Sequence, residues 1–244
     1  MSSCRSRARP FIRPWLAAAL LWCLAFGSAA SATDLRILVA SELLAGTDGD
    51  AAAPRDALGL LIDLLPSNIR AGIWTYEDAV ATLAPRDTVD SAWRLRALDT
   101  LRELPTPTRQ RLVTPDLEAA LAAAAGKWQA EERDRHIILV TTTDRPATDL
   151  RAAVQRSRAR IMTQAVPALH AARVRIHVLV QGEGEASLAG RLAAATGGLL
   201  LRAPDAEALG PALMELVSLL LADIDILPLA KFMGHLDTGR NARH

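Results

Sequence analysis

Leu35-Arg36-Ile37-Leu38-Val39-Ala40, followed by Ser41-Glu42-Leu43-Leu44, is the stretch on which the fold turns. The run from Leu35 to Ala40 is apolar except for Arg36, so it reads as a short strand buried on both faces. Beyond it, Leu58, Leu61, Ile62 and Leu65 recur at the spacing of one helical face. Pro66-Ser67-Asn68 ends that helix. A buried strand followed by an amphipathic helix implies a crossover, because parallel neighbours cannot be joined by a tight turn.

The same alternation continues outward. Ile69 to Tyr76 reads as a second strand, and Ala79 to Leu83 as a short third that pairs back. Helical pattern resumes between Val89 and Leu101, and Pro105 and Pro107 punctuate the chain after it. Leu117, Ala120, Leu121, Ala124, Ala125 and Trp128 mark a long helix face. Ile137 to Val140 is another buried strand, with a helix from about Asp149 to His170. Val174, Ile176, Val178 and Val180 alternate with Arg175 and His177, the pattern of a strand with unequal faces. A helix near Leu188 to Ala195 stops at Thr196-Gly197-Gly198, a left-handed cap. Leu199 to Leu201 makes a last strand, and Leu209, Leu213, Leu216 and Leu220 a final helix.

This order predicts an α/β, Rossmann-like, doubly wound and mostly parallel sheet with helices on both faces, spanning residues 33–222. Function in such sheets sits in the loops at the carboxyl ends of the strands. Here those loops are residues 41–54, 113–118, 141–149 and 181–187.

The segment before the first strand has a different character. Arg5, Arg7, Arg9 and Arg13 form a basic region without acids, Trp15 to Phe26 is apolar, and Ala30-Ser31-Ala32 supplies a small-residue cleavage pattern. Residues 1–32 therefore read as a secretory signal peptide, with Thr33 the mature N-terminus and a periplasmic or secreted location. An uncleaved segment would instead anchor the chain in the inner membrane. Removing it takes away four arginines and no acid, which shifts the net charge from +1 to −3. It also removes both cysteines, Cys4 and Cys23, and with them disulfides, thiolate metal sites and a cysteine nucleophile. No later stretch is apolar for long enough to span a membrane. Residues 223–244 lose the pattern and read as a polar C-terminal tail.

Composition excludes some classes. A chain that is 50% hydrophobic and 23% charged is not a disordered polymer. A charge near zero argues against a nucleic-acid partner. No P-loop, nucleophile elbow or zinc-protease helix occurs. Gly182 and Gly184 follow a strand, but Ser187 stands at the third glycine position, and Glu183 and Glu185 would repel a pyrophosphate. His136 and His177 fall on strands and read as structural; Trp74, Trp93 and Trp128 read as core. Arg151, Arg156, Arg158 and Arg160, with Arg145 before them, form a basic stretch. It is a solvated helix face or a candidate basic face for an acidic partner.

Six pieces in register resemble a von Willebrand factor A (VWA) domain of the bacterial exported type. They are Leu35 to Val39; Ala57 to Leu61 with Leu64-Leu65-Pro66; Ala71-Gly72-Ile73-Trp74-Thr75-Tyr76; Asp116 to Leu121; His136 to Thr141; and Ala195 to Gly198. The resemblance implies protein binding through a divalent cation held by an Asp-x-Ser-x-Ser loop, a Thr and an Asp. Residue by residue, those positions fall on Ala40, Glu42 and Leu44, on Pro115 (with Thr114 adjacent), and on Thr142. Ala, Leu and Pro carry no side-chain oxygen, whereas Mg²⁺ asks for near-octahedral oxygen ligation. The resemblance therefore implies a degenerate site, no cofactor, and a metal-independent interaction or scaffold module with an unidentified protein partner. Ser41, Glu42, Thr114, Asp116, Thr142 and Asp144 are the candidate interaction-loop residues. Two other readings stand beside it. Glu42, Asp116 and Asp144 would rebuild a rearranged cation site, or a carboxylate-based enzyme would use Glu42 and Asp144 for acid–base chemistry. A decayed paralogue is the remaining reading.

Overall fold

A computed structural model describes residues 33–44, 52–67, 69–77, 79–104, 117–126, 128, 134–143, 151–183 and 186–223. The segment 1–32, the tail after Asp223, and Thr114, Pro115, Asp116, Asp144 and Arg145 lie outside the described residues.

Six strands form one sheet in the order β3-β2-β1-β4-β5-β6. They are β1 (Asp34–Ala40), β2 (Arg70–Tyr76), β3 (Val80–Thr88), β4 (Arg135–Thr142), β5 (Val174–Gln181) and β6 (Leu200–Ala203). All neighbours run parallel except β2 and β3. The helices are α1 (Ser41–Leu44), α2 (Ala52–Leu64), α3 (Ser91–Glu103), α4 (Leu117–Ala125), α5 (Arg151–Arg160), α6 (Val166–Ala171), α7 (Ser187–Thr196) and α8 (Leu209–Asp223). They fall into two groups. In one, α2 packs on α3 and α8; in the other, α4, α5, α6 and α7 pack in succession around a π-helical turn. With one group on each face, β1 is buried at every position and β4 through its centre. Ile37, Leu38, Ile137, Ile138, Ile176 and Val178 have no exposed surface. The doubly wound sheet expected from the alternation of patterns is the one observed.

The structure corrects the sequence reading in four places, the first being the helix expected through Trp128, which ends at Ala125. β3 does not stop at Leu83 but runs through Pro85 to Thr88. It is an edge strand, where a missing N–H costs no ladder bond, and irregular register against β2 accommodates the change. The Pro85 carbonyl accepts the buried Trp93 indole N–H at 2.8 Å, and Asp90 then caps α3 by accepting from Trp93 N at 2.6 Å.

The helix expected through His170 is not continuous. Residues Ile161–Ala165 form a π turn in which the Val166 N–H reaches Ile161 O, immediately before Pro167. Proline has no N–H for the preceding turn, so the widened turn carries the chain past it.

Finally, β5 does not have one wet face: Arg175 is exposed, but His177 is buried. His136 Nδ1 and His177 Nε2 lie 3.0 Å apart, and the Leu199 N–H donates to His177 Nδ1. His177 Nδ1 is thus an acceptor, so its proton sits on Nε2 and points at His136 Nδ1. The structural reading of both histidines holds. So does the left-handed cap: Gly197 has φ 71°, and Gly198 lies so close to the Ile176 carbonyl that a side chain would collide with it.

Candidate functional site

β1 connects toward β2 on one side of the sheet, while β4 lies on its other side, so the strand order reverses between β1 and β4. A crevice opens at the carboxyl ends of two strands at such a point. The described residues at that point are Ala40, which ends β1, Ser41 and Glu42 after it, and Thr141, Thr142 and Thr143 at the end of β4.

Each position follows from its place in the chain. Ala40 is the last residue of a fully buried strand, and its methyl group has no exposed surface. The single-turn α1 then points Leu43 and Leu44 into the core and leaves Glu42 exposed, with Ser41 half-buried. Arg55 on α2 donates to the Leu44 carbonyl from Nε at 3.1 Å and Nη2 at 2.9 Å, which ties the end of α1 to the next helix. Across the crevice, the Thr142 hydroxyl donates to Glu42 Oε1. Thr143 N donates to Gln181 O at 3.0 Å, so the end of β4 is held against the end of β5. Thr142 and Gln181 are register partners and share a sheet face. The Gln181 side-chain oxygen is buried and accepts no hydrogen bond among the described residues.

Glu42 and Thr142 are thus brought together, with Ser41 beside them. Among the described residues this donor set is poor for a divalent cation; Thr114, Pro115, Asp116 and Asp144 are not among them. Of the positions carried over from the family, Ala40 and Leu44 offer a methyl and a buried isobutyl group, and the Glu42 carboxylate is engaged by Thr142. No group of three or more His, Cys, Asp or Glu suited to a metal exists among the described residues.

The arginines of α5 do not act as one face. Residues 156 and 158 are about 200° apart around a helix. Arg160 is drawn to Glu118 on α4 at 2.8 Å, and Ser157 also reaches Glu118. Arg158 instead lines a groove with Arg191, Met162 and Leu188 between α5, the π turn and α7. Arg156 is exposed, and the Arg151 side chain lies outside the described residues.

Sequence reasoning missed a second polar cluster at the opposite, amino end of the sheet. Arg36, which reads as an interruption of the apolar run, is 2% exposed. Its Nη2 binds Asp34 Oδ2 at 3.1 Å, and its Nη1 binds the Gly126 carbonyl at 2.5 Å and also the Ala124 carbonyl. Its guanidinium lies 3.4 Å from the centre of the Trp128 ring. Arg86 reaches the same Asp34 oxygen from β3 at 2.6 Å. The signal was present, an acid and a base at i and i+2 in an otherwise apolar strand, but its partners lie far along the chain.

No protein-family model and no curated protein matches this chain. Solved structures do. A von Willebrand factor type A protein from Catenulispora acidiphila is similar over 76% of this chain, at 16% identity and a TM-score of 0.60. The chain spans 42% of that protein's length. The BatB protein from Bacteroides thetaiotaomicron is similar over 76% of this chain and 99% of its own, at 14% identity and a TM-score of 0.52. The SpRpn10 VWA domain matches over 75% of this chain and 95% of its own, at 13% identity and a TM-score of 0.52. At these identities the likeness is one of architecture, and with the strand order and the crevice it leads to one statement: this chain has the von Willebrand factor A fold.

Proposed function

We propose that this chain is an exported protein-interaction module that works without a divalent cation, a binding and not a catalytic domain. Its contact surface is the apex formed by Ser41, Glu42 and Thr142. The observation that carries this reading is the Thr142-to-Glu42 hydrogen bond, together with a buried methyl at Ala40. Where a cation would need free oxygens, the two loops bond directly to each other. The signal-like segment 1–32 supports export. Among the described residues no helix is long and apolar enough to cross a membrane.

Melting curves in millimolar Mg²⁺, Mn²⁺ or Ca²⁺ test the metal-free reading. A ligand present at a hundredfold excess over its Kd adds about 2.7 kcal/mol to folding, which moves a domain of this size by several degrees. No shift beyond an ionic-strength control is expected. The variant carrying Ala40→Asp, Glu42→Ser, Leu44→Ser, Pro115→Thr and Thr142→Asp is the positive control. Stabilisation of the wild-type chain that Glu42→Gln abolishes would overturn the reading and assign a rearranged cation site instead. Export is tested separately by N-terminal sequencing, which should begin at Thr33; a membrane-bound product that keeps Met1 would identify an anchor.

A further inference from the structure

We propose that the buried His136–His177 pair is an acid-sensitive latch that holds the edge strand β6 on the sheet, closed while both imidazoles are neutral and released in mildly acid solution. The inference goes beyond the reading of the apex and rests on none of its residues. His136 on β4 and His177 on β5 are 2% and 3% exposed, and their facing ring nitrogens lie 3.0 Å apart. β6 needs such a hold. It is four residues long, it pairs with β5 alone, and only Ala203 of it is buried. Leu199, which leads into it, is gripped at both backbone groups. Its N–H donates to His177 Nδ1 at 3.2 Å, and its carbonyl accepts from Val178 N at 2.8 Å.

These bonds fix the protons of the pair. His177 Nδ1 accepts from Leu199, so its Nε2 carries the hydrogen and donates to His136 Nδ1, and His136 carries its own hydrogen on Nε2. A third proton has no place that keeps both bonds. On His136 Nδ1 it meets the His177 Nε2 hydrogen; on His177 Nδ1 it meets the Leu199 N–H. If His177 moves its hydrogen to Nδ1 in order to accept from a charged His136, that hydrogen again faces Leu199. Each arrangement breaks a bond and puts a charge where almost no surface is exposed.

The surroundings oppose that charge as well. Arg175 is the register partner of His136 across β4 and β5. Arg135, Arg173, His170 and Asp134 line the same cavity as His136 and Arg175, so three guanidinium groups stand there against one carboxylate. On β1 the neighbour of His136 is Leu35. The buried residues of α6, α7 and α8, the helices packed on β5, are apolar apart from Thr196, whose hydroxyl donates to Leu192 O and accepts from Ile176 N. An imidazole in the released or unfolded chain takes its proton near the ordinary value of about 6.5. The latched pair holds fewer protons than that open state, so its hold is full above this pH and weakens as pH falls through it.

The ¹⁵N-labelled chain is followed from pH 7.5 to pH 5.5 by long-range ¹H–¹⁵N NMR of the ring nitrogens and by amide hydrogen exchange, read as protection factors. Both rings are expected in the neutral Nε2–H form at pH 7.5, and still neutral in the folded chain at pH 6, where a free imidazole is mostly charged. The protection of Leu199 should fall between pH 7 and pH 5.5 by about tenfold for each proton that only the open state takes. His177→Gln removes one titrating ring and should flatten that dependence, whatever it does to protection at neutral pH. A charged ring at pH 6 in the folded chain, an Nδ1–H form of His177, or a Leu199 protection factor independent of pH overturns the proposal. So does an unaltered dependence in His177→Gln. If that variant does not fold, the ring signals and Leu199 protection of the wild-type chain decide alone.

Discussion

At the amino ends of β1 and β4 the sheet holds the buried Asp34 carboxylate and Arg36 guanidinium against the partly buried Arg86 and a half-buried indole. At the carboxyl ends of the same strands stand a buried methyl, two buried leucines and one exposed carboxylate bonded to a threonine. The two ends share one backbone geometry and one set of strand neighbours, yet their chemistry is inverted. Among the described residues the carboxyl end carries one exposed carboxylate. The amino end holds the dense charge network. Polar groups at the floor have partners on β3 and around α4, so they act on stability. Among the described residues the apex has one exposed carboxylate, Glu42, and its removal is expected to leave the fold intact and to change what the surface can meet.

That contrast can be broken most forcefully at the floor. Asp34 has no exposed surface and serves both Arg36 and Arg86. Asp34→Ala leaves buried positive charge without its counter-ion, and a loss of about 3–5 kcal/mol is expected in urea unfolding. Replacing Asp34 and Arg36 together by apolar residues should cost less than Asp34→Ala alone, because the more deeply buried of the two cations goes with the carboxylate and only Arg86 loses its Asp34 bond. If the single variant unfolds at the wild-type urea concentration, the floor is not a stability device.

Next in size is the middle of the sheet, which belongs to neither end. Leu38 and Ile138 are fully buried in adjacent strands. Truncating either to Ala should cost about 2–5 kcal/mol through lost transfer energy and a residual cavity. A change below about 0.5 kcal/mol would mean that these strands are not the central ones.

The smallest effect is expected at the apex. Glu42→Gln alters an exposed side chain and is expected to shift stability by less than about 0.5 kcal/mol. Measured beside Asp34→Ala in the same titration, it sharpens the comparison: two carboxylates at opposite ends of one strand should differ severalfold in what their loss costs. Equal losses would erase the distinction between a structural floor and a recognition apex.

Much of this architecture was legible in the chain because it is local. Apolar runs, the 3.6-residue face from Leu58 to Leu65 and the Thr196-Gly197-Gly198 cap each depend on neighbours in sequence, and each is where it was expected. The apex was legible in part. Ala40, Glu42 and Thr142 were identifiable from their places after two strands, but not the bond that joins Thr142 to Glu42 across 100 residues. The extension of β3 through Pro85 depended on its being at the sheet edge, and the π turn on how the chain passes Pro167. Neither condition is visible to a periodicity.

What residue order alone settles here is therefore the sheet: which segments are strands and which are helices. Those are matters of side-chain type and short-range spacing. Tertiary structure alone settles where each polar group finds its partner. Arg36 is an interruption in a linear reading and a buried, hydrogen-bonded residue stacked on an indole once Trp128, Ala124 and Gly126 are folded onto it. The arginines of α5 are a basic stretch in sequence, yet in space Arg160 turns to Glu118 and Arg158 to the groove beside Arg191. Burial and pairing are properties of long-range contacts, and a charge acquires its role only when the fold decides whether water or another charge stands next to it.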